Sequence, residues 1–120
     1  MSEFNFKSQI CTSRVQSERL LSLGLKKETA DMWYPHFAST CPIPLVDETL
    51  ASDDIPAWSL HRLLSLIEYD DGFIDVSLRG ARYGIHYGYD DGWYDNLYDA
   101  VISCIEALIE EKDFNREYLV

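Results

Sequence analysis

The stretch DNLYDAVISCIEALIEE, residues 95–111, decides the fold class more than any other part of the chain. Its apolar residues recur at intervals of three and four, and they are Leu97, Val101, Cys104, Ile105 and Leu108. This spacing is typical of a helix that buries one face. Glu106, Glu110 and Glu111 fall outside that stripe. The pattern predicts a long amphipathic helix over about 95–111, the longest of the chain, with its glutamates facing water.

Two short runs rich in aromatic and β-branched residues precede this helix. FIDVSL covers residues 73–78 and RYGIHY covers residues 82–87, with Arg-Gly between them as a turn. Such a pair predicts a β-hairpin over about 73–88. Because an isolated hairpin is only marginally stable in water, we expect one further strand, from 1–7 or 32–38, to complete a small antiparallel sheet.

The sequence of the first third of the chain predicts two helices. Ser13 and Gln16 have the spacing of a capping box, and Gly24 is placed to end the helix that begins there. A short second helix is expected over about 27–32. Helix, glycine turn and helix also resemble a DNA-binding helix-turn-helix. The second helix would bring acidic residues to the phosphates, so an αα-hairpin is the preferred interpretation.

A third upstream helix is predicted after Asp53 or Asp54, either of which can cap it, with Pro56 near its first turn. Its apolar positions are Ala57, Leu60, Leu63, Leu64 and Ile67. Residues 35–56 contain all four prolines and are predicted to form an irregular loop. We therefore predict one α+β domain over 1–120, in which three to four helices pack against the small sheet.

The charge of the chain restricts its partners. Asp and Glu number 21 against 10 Lys and Arg, a formal net charge of −11, and the cations are scattered along the sequence. Direct binding to nucleic acid or to an anionic membrane surface is therefore not expected, whereas a protein partner is. No secretory signal is recognised, and three irregularly spaced cysteines predict no disulfide framework, so we expect a cytoplasmic protein.

Two groups of side chains are candidates for catalysis or metal binding. The pattern Tyr-Asp-Asp-Gly-aromatic-x-Asp occurs at 69–75 and again at 89–95. Its carboxylates suit a cation, but neither copy continues as a calcium-binding loop and Asp-Gly is a common turn pair. Turns are the preferred interpretation. His36, His61 and His86 lack zinc-site spacing, and no nucleotide-binding or hydrolase motif is present. No catalytic residue, cofactor or metal ligand is predicted.

The aromatic residues are more numerous than one small core buries with ease. Tyr and Trp bring a large contact area at low entropic cost and are enriched at interfaces. Two interpretations of these aromatic residues stay open. They form either a core with tyrosine hydroxyls at its edge, or a binding or homodimer face. The candidate contact residues of such a face are Trp58, Tyr89, Trp93 and Tyr94.

Three segments carry a resemblance to known sequences. They are SERLLSLGLKKETADMWY at 17–34, DIPAWSLHRLLSLI at 54–67 and AVISCIEALIEEKDFNREYL at 100–119. Together they resemble a family of short acidic uncharacterised proteins from gut-dwelling bacteria and their mobile genetic elements. The resemblance implies that the segments belong to one domain type. The family has no assigned activity, so no site residue follows from it.

These observations lead to three hypotheses of function. The first is a non-enzymatic protein-interaction or accessory protein that uses an acidic, aromatic-rich face for a protein partner or for self-association. The second is an acidic mimic of nucleic acid, or an inhibitor, that occupies the basic groove of a nucleic-acid-binding protein. The third is a small enzyme whose site is assembled from Asp, His and Tyr side chains.

Overall fold

The computed structural model describes residues 9–35, 42–44, 54–67, 75–79, 82–86 and 93–120, with the backbone alone for 75–79, 82–86 and Trp93. In these ranges the α-helices are α1 (Arg14–Ser22), α2 (Leu60–Leu66) and α3 (Leu97–Glu110). The strands are β1 (Met32–Tyr34), β2 (Ile43–Pro44), β3 (Ile55–Ala57), β4 (Asp75–Arg79), β5 (Arg82–His86) and β6 (Trp93–Tyr94). None of the described helices combines the length and the apolar character needed to cross a bilayer.

The helix predicted over 95–111 is α3, and its amphipathic pattern is confirmed. Asn96 caps it by accepting a hydrogen bond from the N–H of Asp99. Its buried side chains are Tyr98, Ala100, Val101, Ile102, Cys104, Ile105 and Leu108. Against α3 pack the other two helices and the strands β5 and β6. The fold is therefore α+β, as predicted, with its main core beneath α3.

The strands form two antiparallel sheets of three strands each within the described ranges, in the orders β2-β1-β3 and β4-β5-β6. The predicted hairpin is confirmed, because β4 and β5 pair with Val76 opposite Ile85. Its further strand is β6, which places Tyr94 opposite Tyr83. We expected that strand from 1–7 or 32–38. Residues 32–34 instead pair with β2 and β3, and β6 follows β5 after a short connection that costs little entropy to close. Residues 1–7 lie outside the described ranges.

The predicted helix over 27–32 is wrong, and with it both helix-turn-helix and αα-hairpin interpretations. Lys27–Thr29 makes a single 3-10 turn, and Met32 already begins β1. The hydroxyl of Thr29 donates to the carbonyl of Lys26 at 2.6 Å. Such side-chain bonds compete with helix propagation. The Met-Trp-Tyr sequence that follows favours a strand.

The predicted start of the helix at 60–66 is also wrong. Ile55–Ala57 forms β3, and Ser59 caps α2 by accepting a hydrogen bond from the N–H of Arg62. Pro56 lies on β3, at the edge of its described sheet, where a missing N–H removes no interior ladder bond. The strands β2 and β3 thus reach into the region 35–56, where we predicted an irregular loop. The rest of that region lies outside the described residues.

Both ends of α1 form as predicted. Ser13 Oγ accepts from the N–H of Gln16, and the side chain of Gln16 accepts from the N–H of Ser13, which completes the capping box. Gly24 has a φ of 99° and donates to the carbonyl of Leu21, while Leu25 donates to Leu20. These two bonds define a Schellman motif. Leu25 is buried against the main core.

The chain after α3 returns to the core. Phe114 is buried and its ring meets that of Tyr118 edge-on, with centroids 6.0 Å apart. Leu119 pairs with Leu25 in an isolated antiparallel bridge. A second, smaller cluster lies apart from the main core and consists of Cys11, Met32, Tyr34 and Ala57.

Candidate functional site

Trp58, predicted as a contact residue, is a core residue. Its side chain has no solvent exposure, and its indole N–H donates to the hydroxyl of Thr29 at 2.9 Å. Because β3 occupies residues 55–57, Trp58 falls in the connection to α2 and packs in the main core. A side chain without exposure cannot touch a partner while the fold is intact. Trp58 is therefore removed from the predicted contact face.

The other predicted contact residues precede α3. Tyr94 is half-buried and packs against the main core. Trp93 pairs through its backbone with Gly84 in β5. Tyr89 lies outside the described residues, as does most of both Tyr-Asp-Asp-Gly segments. The structure thus places Trp93 and Tyr94 together on β6, beside α3, and their role as contact residues stays a prediction.

Buried hydroxyls form a network beneath the start of α1. Thr12 Oγ1 lies 2.8 Å from Ser17 Oγ and accepts a hydrogen bond from the backbone N–H of Trp58 at 3.1 Å. Tyr34 donates to the carbonyl of Thr12 at 2.9 Å. Thr12 and Ser17 flank the helix cap at the positions where two apolar residues often form a hydrophobic staple. A hydrogen-bonded pair replaces that contact here, so these hydroxyls stabilise the fold.

The Cys11 thiol adjoins this network, with its sulfur 3.6 Å from the Tyr34 hydroxyl. Burial raises the pKa of Cys11, and burial together with the contact to Cys11 raises the pKa of Tyr34. Burial also raises the pKa of Tyr98. A nucleophilic cysteine needs a thiolate, which this environment disfavours. Cys104 is buried in α3, as its place on the apolar stripe predicted.

Asp31, whose charge acts on the Cys11 thiol, also has a structural partner. Asp31 accepts hydrogen bonds from the N–H of Ser59 at 2.8 Å and from its hydroxyl at 2.5 Å. This carboxylate holds the residue that caps α2. His61 is exposed and makes no hydrogen bond to a described residue. Within the described ranges no cluster of three metal-binding side chains occurs, and the expectation of no cofactor stays a prediction.

Acidic residues follow the solvent side of α3. Asp99, Glu106 and Glu110 share one face by helical spacing. Asp99 accepts from the side-chain amide of Gln16 at 2.7 Å, and Glu106 forms an ion pair with Arg19. Glu110 and Glu111 are exposed, and their side chains bond to none of the described residues. The last turn of α3 contains no basic residue. The acidic residues nearer the start of α3 therefore have partners within the fold, whereas those at its C-terminal end have none among the described residues.

A cleft of about 480 Å³ lies between the 3-10 turn, one face of α2 and the C-terminal segment. Leu66 and Thr29, both buried, form part of its lining. Its charged lining residues are Lys26, Glu28, Arg62 and Glu117. None of these residues was predicted as part of a site from the sequence. They come from three distant segments, and no local spacing connects them.

Comparison with known proteins gives no match to this chain. No family model matches it, and no curated protein or solved structure shows significant similarity to it. The resemblance to the family from gut-dwelling bacteria stays a prediction.

Proposed function

We propose that this chain is a non-enzymatic interaction or accessory protein that binds a basic protein partner at the C-terminal end of α3. The observation that carries the proposal is the pair of exposed glutamates, Glu110 and Glu111, at a last helical turn that contains no basic residue; Lys112 follows them but forms an ion pair with neither. The C-terminus of a helix is partly negative, so an acidic residue there costs about 0.3–1 kcal/mol. Fold stability does not account for their position, and a cationic partner does.

The other acidic residues of this face have partners within the fold, and these partners explain their positions. Asp99 lies in the first turn of α3, where the helix dipole favours a negative charge, and Gln16 donates to it. Glu106 pairs with Arg19 and so joins α3 to α1. Neutralising either residue would disturb the packing of two helices. Within this acidic face, only Glu110 and Glu111 carry charge that pairs with no other described residue.

A different protein is a more favourable partner than a second copy. With a net charge of −11, two copies that meet at this acidic end would repel each other. The aromatic strand β6 ends just before α3 begins, so it lies at the N-terminal end of this helix and does not extend the acidic C-terminal end. Light scattering should therefore find a monomer in the absence of the partner, and a stable dimer would contradict this choice.

The test is capture from an extract of the source cells with two matched variants. Glu110→Lys and Glu18→Lys make the same charge change on exposed helical glutamates, one inside the proposed face and one on α1. The wild type and Glu18→Lys should retain the same protein at ~50 mM salt and release it by ~500 mM, because screening weakens exposed charge pairs. Glu110→Lys should not retain it. Equal capture by all three proteins, or capture that salt leaves unchanged, would refute the proposal.

The net charge of −11 also supports the second hypothesis, an acidic mimic of nucleic acid, and the resemblance to proteins of mobile genetic elements is consistent with it. The same capture experiment separates the two. Duplex DNA added to the captured complex should release the partner of a mimic, because both compete for one basic groove. Retention of the partner would favour the accessory role.

We further propose that the protein works in the cytoplasm. Cys11 and Cys104 are both buried thiols in the described part of the chain. Buried thiols that form no disulfide suit a reducing compartment. Fractionation of the source cells should recover the protein with cytoplasmic markers, and recovery with secreted proteins would contradict this assignment.

A further inference from the structure

The cleft between the 3-10 turn, α2 and the C-terminal segment has walls that backbone hydrogen bonds hold in place. The N–H of Lys26 donates to the carbonyl of Tyr118 at 2.8 Å, and the N–H of Val120 donates to Gly24 at 2.8 Å. These bonds join the segment of the 3-10 turn to the C-terminal segment, which form two of the three walls. On α2, Arg62 and Leu66 occupy one helical face and supply the second wall. The cleft is therefore formed before any ligand arrives.

The charges around this cleft are balanced. Two are cationic, Lys26 and Arg62, and two are anionic, Glu28 and Glu117. Among the described residues none of these side chains makes a hydrogen bond or an ion pair, unlike Arg19 with Glu106. In the whole chain acidic residues outnumber basic ones by 21 to 10. The equal number of positive and negative side chains around this cleft thus differs from the acidic excess of the whole chain. It complements a ligand that carries one positive and one negative charge.

We propose that this cleft binds a small zwitterion, an α-amino acid or a short peptide. Lys26 and Arg62 would receive its carboxylate, and Glu28 and Glu117 its ammonium group. Leu66 and the ring of Tyr118 offer apolar surface for its side chain. A volume of about 480 Å³ lies within the range of small-molecule sites and accommodates an amino acid or a dipeptide. This site is separate from the acidic end of α3, and its test does not depend on the proposed partner.

Ligands with a single charge fit the cleft less well. A carboxylate without an ammonium group leaves both glutamates unpaired and is repelled by them. An amine without a carboxylate has the reverse conflict with Lys26 and Arg62. Because charge pairs at exposed positions are weak, we expect a dissociation constant on the order of 0.1–10 mM.

The experiment is an amide chemical-shift titration of the full chain with two probes, L-phenylalanine and the dipeptide Leu-Phe. We expect saturable shifts for at least one probe, confined to amides around 26–29, 65–66 and 117–118. N-acetyl-L-phenylalanine and L-phenylalaninamide, which each lack one charge, should bind at least about fivefold more weakly. Arg62→Gln and Glu117→Gln should each weaken the probe by a similar factor. Arg14→Gln, an exposed arginine outside the cleft, is the matched control and should leave binding unchanged.

Several results would overturn the proposal. No saturable shift with either probe up to ~50 mM would exclude a zwitterion site of the expected strength. Equal binding of the singly charged analogues would remove the role of paired charges. Unchanged binding in Arg62→Gln and Glu117→Gln, or an equal loss in Arg14→Gln, would place the ligand elsewhere. The amide spectra report at the same time that each variant is folded.

Discussion

The interior beneath α3 and the interior beneath the start of α1 are built in different ways. The first is apolar, with side chains such as Leu20, Leu63 and Ile105 that have no exposure. The second buries the hydroxyls of Thr12 and Ser17 together with a thiol and a tyrosine. In an apolar core the cost of a substitution grows with the volume that is lost, whereas a buried polar group depends on each of its partners being present. The second interior therefore joins residues far apart in sequence, such as Thr12 with Tyr34 and Trp58, through hydrogen bonds.

Trp58 joins the two interiors and should give the largest effect. Its ring lies in the main core, its backbone N–H reaches Thr12, and its indole N–H reaches Thr29. Trp58→Ala should lower the free energy of unfolding by about 3–5 kcal/mol because a large cavity remains. Trp58→Phe should cost less, about 1–3 kcal/mol, since it mainly removes one buried hydrogen bond. Urea denaturation followed by circular dichroism measures both. A loss below ~1 kcal/mol for Trp58→Ala would contradict its core position.

A matched pair of conservative substitutions compares the two interiors directly. Thr12→Val keeps the shape but leaves the buried N–H of Trp58 without its acceptor, at a cost of about 1–3 kcal/mol. Ile105→Val removes one methylene from the apolar core and should cost about 0.5–1.5 kcal/mol. In urea denaturation, Thr12→Val should therefore lower the free energy of unfolding more than Ile105→Val does. The opposite order would show that the hydroxyl network adds little.

A double-mutant cycle isolates the bond between the two hydroxyls. Ser17→Ala removes the partner of Thr12, whose oxygen lies 2.8 Å away. The combined cost of Thr12→Val and Ser17→Ala should be smaller than the sum of the single costs, by about 0.5–1.5 kcal/mol, because both variants break the same bond. Strict additivity would mean that the two side chains act independently.

The C-terminal ends of α1 and α3 share one geometry but differ in residue type. Gly24 has a φ of 99° and Lys112 has a φ of 62°, and both helices end in a Schellman pattern of hydrogen bonds. Left-handed backbone costs a residue with a Cβ about 1–2 kcal/mol. Gly24→Ala should therefore destabilise by about 1 kcal/mol and Lys112→Gly should stabilise by a similar amount. A Cβ at Gly24 would lie 3.9 Å from Val120, an ordinary contact, so the backbone is the cause. Two changes of the same sign in thermal denaturation would refute this explanation.

The effect of pH on the polar interior should be the smallest and should vanish at neutral pH. Burial raises the pKa of the Cys11 thiol, so the folded protein keeps a proton that the unfolded chain has lost. The stability from this difference is complete below the ordinary pKa of 9.0 and is lost as pH rises through the folded value. Wild-type stability should thus fall more steeply above pH ~9 than that of Cys11→Ala. Parallel profiles in urea denaturation would contradict the prediction.

Local patterns predicted those elements whose evidence is local. The periodicity of α3, the hairpin and the Ser13 to Gly24 limits of α1 each lie within one short stretch of sequence, and each is confirmed. The start of α2 was misplaced because an Asp followed by Ile-Pro has the features of a helix cap. Pairing with β1 decided that segment instead, and tertiary pairing is not visible in a short window.

The candidate sites were less predictable than the fold. Trp58 was predicted as a contact residue because tryptophan is common at interfaces. Its burial comes with a hydrogen bond to Thr29, a residue far away in sequence, and no local pattern shows such a contact. The cleft gathers side chains from three segments for the same reason. Only the glutamates of α3 were correctly placed toward solvent, since helical period alone fixes the side they face.

The most direct test of the account is the free energy of unfolding of Glu110→Gln and Glu111→Gln, with Glu18→Gln as the matched control. The proposed function implies that the acidic end of α3 serves a partner at the expense of helix stability. It predicts that each neutralised glutamate raises the free energy of unfolding by about 0.3–1 kcal/mol at low salt, and that Glu18→Gln changes it by less than ~0.5 kcal/mol. A fall in stability for Glu110→Gln and Glu111→Gln would show that the glutamates stabilise the fold, and would contradict the central claim.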